Sequence, residues 1–149
     1  MPSSELARRT LDRRLAALRE LDVPVPPRGW TRALRDALGM SAADLARRMG
    51  LTRQAVAQLE RSEAEGSIQL DTLRRAAEAL DSVLVYALVP REALDEVVKA
   101  RARAVAEQTI DSVEHTMALE AQSGGSEDRD RLVAELAERL AESARLWSD

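Results

Sequence analysis

The sequence predicts a mainly α-helical fold with a single β-strand past its midpoint and helices on either side. Three observations carry this. Ala, Leu, Arg and Glu dominate, with 32% charged residues, 2% aromatics and no Phe, a composition suited to long helices. Apolar residues recur at helical spacing through most of the chain. Against that background, "SVLVYALVP" (Ser82 to Pro90) is a lone run of β-branched and apolar residues closed by proline, which reads as a strand.

The elements follow in order. Residues 1–22 hold an N-terminal helix, with Leu6, Leu11, Leu15, Leu18 and Leu21 at helical spacing and Ser4 as N-cap. The proline-rich stretch 23–29, "VPVPPRG", breaks it and predicts an extended linker. Residues 30–81 carry a series of short helices. One runs from Trp30 to Leu38 and ends at Gly39; Ser41 caps "AADLARRM", which ends at Gly50; Thr52 caps "RQAVAQLER". A polar loop with Gly66 precedes "TLRRAAEAL", for which Asp71 is the expected cap. The strand 82–90 comes next, then a long helix 91–121, a linker 122–129 and a last helix 130–147 with Leu132, Val133, Leu136, Leu140, Ala144 and Trp147 on one face. The strand finds no partner in its own chain, so its backbone groups call for one elsewhere. Antiparallel pairing of Val83, Leu84, Val85, Tyr86, Ala87, Leu88 and Val89 with a second copy would satisfy them, which predicts a homodimer built on a two-stranded ribbon.

Net charge is −4 but unevenly spread: residues 1–62 hold 12 Arg against 7 Asp and Glu, net +5, and residues 63–149 hold 10 Lys and Arg against 19 Asp and Glu, net −9. That asymmetry suits a polyanion at one end and a different partner at the other, and equally suits solvated helix faces. The absence of Cys excludes disulfides, thiolate zinc sites and a cysteine nucleophile. The start lacks the apolar core of a signal peptide, and no apolar run is long enough to span a bilayer, so a cytoplasmic protein without membrane association is expected.

The informative stretch is "RALRDALGMSAADLARRMGLTRQAVAQLERSEAEGSIQLDTLRRAAEAL". Two short helices meet at Gly50-Leu51, where glycine permits the backbone turn and Leu51 plugs the angle between them; Ala46 faces the crossing. That is a helix-turn-helix. Leu45, Met49, Val56 and Leu59 should form its core with Leu34, Leu38, Leu73, Ala76, Ala77 and Leu80.

Residues 30–82 resemble the Cro/repressor (Xre-like) family of helix-turn-helix domains, which implies a lambda-repressor-like fold reading operator DNA with its third helix, here Thr52 to Arg61. The family positions that touch DNA fall on Thr52, Arg53, Gln54, Ala55 and Gln58, with Arg53, Gln54, Ala55 and Gln58 as base readers. Arg suits guanine O6/N7 and Gln suits adenine N6/N7. Thr52 would also serve as N-cap and phosphate ligand, with Ser41, Arg32, Arg47, Arg48 and Arg61 as further phosphate contacts. The resemblance also implies an ion pair between Arg35 and Glu60. Two departures weaken expected affinity: Ala42 stands where a phosphate-gripping glutamine often begins the second helix, and Glu63 and Glu65 make the following loop acidic.

From Val25 to Gln122 the sequence also resembles the bacterial family known as mobile mystery protein A, whose members generally occur beside a Fic-domain partner, an enzyme class that transfers AMP. The resemblance implies an autorepressing, antitoxin-like regulator. Inhibitors of Fic enzymes carry a helix with Ser/Thr and Glu four residues apart followed by Gly or Asn. Thr116 and Glu120 have that spacing, but Ala121 departs from the pattern. The competing function is a protein-interaction inhibitor that clamps such an enzyme with its C-terminal helices. No catalytic residues, metal site or cofactor are expected: His115 is the single histidine, and Ser41, Ser82 and Thr52 lack a His/Asp arrangement.

Overall fold

The computed structural model describes residues 4–118 and 125–148, side chains at 117 and 118 excepted, and the chain divides into two compact units, Asp22–Leu88 and Met1–Leu21 with Val89–Asp149. Among the described residues there are seven helices and no strand: α1 (Ser4–Arg19), α2 (Trp30–Ala37), α3 (Ala42–Met49), α4 (Arg53–Glu65), α5 (Leu70–Ala79), α6 (Leu94–Ala118) and α7 (Ser126–Ala141).

The unit 22–88 folds around Leu45, Ala46, Val56 and Leu80, with Met40, Met49, Leu51 and Ala79 packed against them. Leu59 and Ala76 are also buried. Leu45 and Ala46 are adjacent on α3, Val56 and Leu59 lie about one turn apart on α4, and α5 adds Ala76 with Leu80 at its C-cap, so the three helices turn apolar faces to the interior. Leu34 and Leu38 do not join it, being 38% and 59% exposed. α5 starts one residue before Asp71, with Gln69 at its N-cap and no side-chain cap bond.

In the other unit Val98 and Ala102 of α6 pack with Ala137, Leu140 and Ala141 of α7 and with Leu146 from the segment after α7. Alanine at these positions lets the two helix axes approach closely. α1 is fastened to α6 by polar contacts. Asp12 accepts the Leu94 backbone N–H at 2.8 Å and so caps the first turn of α6, while Arg19 donates to Asp12 at 2.7 Å and to the Pro90 carbonyl at 3.1 Å. α7 begins and ends earlier than the 130–147 pattern suggests; Trp147 lies beyond it, under the Arg101 guanidinium, 6.0 Å from the ring centre.

The expected strand is absent. Val83, Leu84, Val85, Tyr86, Ala87, Leu88 and Val89 have no regular secondary structure, and no described segment pairs with them. The alternation in sequence does not become alternation in burial: Leu84 is half-buried, but Val83, Val85 and Leu88 are 86%, 82% and 91% exposed. β-branched composition favours an extended backbone, whereas a strand exists only through ladder bonds to a neighbour. The fold class is therefore mainly α-helical, with no strand among the described residues.

Candidate nucleic-acid interface

α3 and α4 meet at a tight glycine turn. Gly50 adopts φ 66°, ψ 32°, and the Leu51 N–H reaches back to the Ala46 carbonyl at 2.8 Å, closing α3 with a left-handed cap. No atom lies within 4 Å of where a Cβ on Gly50 would stand, so backbone conformation rather than crowding requires glycine there. Both helices then start on side-chain caps. Ser41 Oγ accepts the Asp44 N–H at 3.1 Å, and the Asp44 carboxylate accepts the Ser41 N–H at 3.0 Å, a complete capping box. Thr52 Oγ1 accepts the Ala55 N–H at 3.0 Å and keeps its own O–H to donate.

This pivot presents the first two turns of α4 to solvent. Arg53, Gln54 and Gln58 are exposed. Gln58 Nε2 rests 3.4 Å from Ser62 Oγ along the same helix face. Ala55 is half-buried. Residues 32–84 match the family model described as a helix-turn-helix. This segment is a helix-turn-helix domain. The match supports the Xre-like reading of these residues, and with it a DNA-binding function of the transcription-regulator type. No curated protein and no solved structure matches the chain.

The cations of the helix-turn-helix domain are not equivalent. Arg53 and Arg61 are exposed. Arg47, on α3, is exposed and paired with Asp44 at the start of its own helix. Arg48 is also exposed and donates from one terminal nitrogen to the Ala79 carbonyl at 3.0 Å, at the end of α5. Ser41 is similarly engaged, its hydroxyl directed at Asp44. Hydrogen bonds from the Ser41 hydroxyl and N–H hold the Asp44 carboxyl below its ordinary range, keeping it charged beside Arg47.

Two carboxylates of α4 hold the domain together. Arg35 donates from Nε to Glu60 at 2.6 Å, from a terminal nitrogen to Glu60 at 3.3 Å, and from the other to the Met40 carbonyl at 2.9 Å. Both side chains are buried, and the Glu60 carboxylate raises the Arg35 pKa further above its usual value. Glu63 makes a contact that sequence reasoning missed. Its carboxylate accepts the Trp30 N–H at 2.6 Å and the Thr31 N–H at 3.1 Å, capping α2 from another helix. Gly29, at φ 84°, makes room, since a Cβ there would stand 2.8 Å from Glu63 Cδ. A sequence signal existed: α2 begins after glycine, which has no capping side chain, so its first N–H groups need an acceptor from elsewhere.

Thr116 is exposed and donates its hydroxyl to the Ser112 carbonyl at 3.0 Å, an ordinary contact within a helix. Glu120 lies outside the described residues. Among the described residues no group of His, Asp or Glu could hold a metal ion, and no helix is long and apolar enough to cross a membrane.

Proposed function

We propose that the protein is a sequence-specific operator-binding repressor that acts as a homodimer on double-stranded DNA in the cytoplasm. The observation that carries this is the pairing of a capped, solvent-facing α4 with Arg53, Gln54 and Gln58 on its open face, within a segment matching the helix-turn-helix family. Arg53 and the two glutamines have the donor geometry for purine edges in the major groove. Thr52, at the positive end of α4, and Arg47 on α3 would grip the backbone. Ala55, half-buried, would contribute at most an apolar contact.

A dimer is the second part of the proposal. Two half-sites about one helical turn, roughly 34 Å, apart need two copies at fixed separation. The apolar segment from Val83 to Val89 is the surface offered for that contact; all of it but Leu84 is exposed, and it follows the last helix of the DNA-binding unit. The finer reading, an autorepressing antitoxin-like partner of a Fic-domain enzyme and no enzyme itself, is supported by the resemblance of residues 25–122 alone. Footprinting on the DNA upstream of its own gene tests the function. Protection of a symmetric site against excess mixed-sequence competitor is expected, and protection no better than on the competitor contradicts it.

A further inference from the structure

Between α2 and α5 the helix-turn-helix domain has an open apolar groove. Trp30 and Leu34 from α2, Leu73 and Ala77 from α5 and the half-buried Leu84 line it, around a volume of about 240 Å³. None of its lining residues is charged, in a unit that holds nine Arg and nine Asp and Glu. Such a surface offers nothing to phosphates, which need cations and N–H or O–H donors. It suits an apolar side chain. The chain that forms one wall leaves the groove after Val85. Tyr86 and Leu88 follow, both exposed, and neither folds back into the groove.

We propose that the groove between α2 and α5 receives Tyr86 and Leu88 of a second copy, so that each protomer seats its segment in the other's groove. This rests on the dimeric reading above and adds the receiving surface. The area fits. The exposed fractions of Trp30, Leu34, Val83, Val85, Tyr86 and Leu88 amount to about four whole residues. At about 150–200 Å² for a large side chain, that is roughly 600–800 Å² per copy, close to the roughly 800 Å² per partner of a stable interface. A monomer rarely leaves so large an apolar surface in water. One segment in one groove is a heterologous contact that would string copies together; about a two-fold axis the contact is made twice and closes the dimer. Side chains alone make it, so it needs no strand. It also gives Leu34 and the Trp30 ring a partner that the domain's own core does not supply, since Glu63 engages only the Trp30 backbone.

Trp30 reports on the groove directly once Trp147, the second tryptophan, is changed to Phe. On full-length Trp147→Phe protein, Trp30 emission should shift to the blue over the concentrations at which sedimentation shows dimer forming. Leu34→Lys and Leu88→Asp, each alone, should raise the dimer dissociation constant about 30-fold or more, the loss typical of a buried interface anchor, with helical circular dichroism intact. An equimolar mixture of the two should recover dimer. That heterodimer keeps one groove and one segment unaltered and sets Lys against Asp in the other pair. Trp30→Ala, whose backbone N–H still meets Glu63, is the second groove variant and should weaken the dimer likewise. Dimer formation with unchanged Trp30 emission, or full-strength dimer in both groove variants, overturns the groove and leaves the dimer to segment-on-segment contact. Weakened single variants that fail to complement each other overturn the exchange of segments. Wild-type protein that is monomeric at every concentration overturns the dimeric reading and the groove's occupant together.

Discussion

Arg35 and Glu60 bury a full ion pair at 8% and 7% exposure, between the first and third helices of the DNA-binding unit. Desolvating two charges consumes most of what their attraction returns, so the pair is better regarded as a positional lock than as a source of stability. Removing one partner strands the other. Glu60→Ala or Arg35→Ala should each lower unfolding free energy by about 3–5 kcal/mol in urea titrations, while Arg35→Met with Glu60→Leu recovers most of it. Single variants of near wild-type stability would show that the buried charges are solvated after all. The two residues are 25 apart in sequence, and only the family resemblance signalled their pairing. Glu63 had no such signal. It stands in "RSEAEGS" and looks like solvated charge, whereas its partners at Trp30 and Thr31 lie on another helix.

Helices were legible element by element because their determinants are local: apolar spacing, Ser41 and Thr52 as caps, Gly50 and Gly66 as left-handed stops. The strand was not, because pairing belongs to two segments and 82–90 meets none in its own chain. α1 shows the same limit from another side. Its leucine spacing marks a helix, but what fastens it is Asp12 on the N-terminus of α6. The Leu94 N–H, and then Arg19, hold the Asp12 carboxyl below its usual 3.8. A carboxyl with a depressed folded pKa contributes stability that is complete above its unfolded value and is lost as pH falls through the folded one. Asp12→Asn should therefore melt earlier than wild type near neutral pH, with the gap closing below pH 3.8. A gap that is constant from neutral to acid pH would remove the charge from this account.

Charge looks different once the units are known. The basic N-terminal half does not coincide with the DNA-binding unit, because α1 belongs with α6 and α7. Residues 22–88 hold nine Arg against nine Asp and Glu, net zero. A neutral unit gains little from long-range attraction to DNA, so the proposed dimer, by engaging two half-sites at once, would supply much of the affinity. That places weight on the exposed apolar segment. Leu88, 91% exposed, can be changed without disturbing the domain's own core. Leu88→Asp should sediment as a monomer and lose most operator affinity with its helical circular dichroism intact. A wild-type protein that is monomeric at every concentration would contradict the dimer.

The central claim is that α4 reads base edges through Arg53 and Gln54, and anisotropy with the protein's own upstream DNA tests it most directly. Each bidentate contact discriminates by about 1–3 kcal/mol. Arg53→Ala/Gln54→Ala should therefore bind that DNA only as well as a mixed-sequence duplex, with an unchanged unfolding midpoint. Retained preference for the upstream site in the double variant would contradict the account.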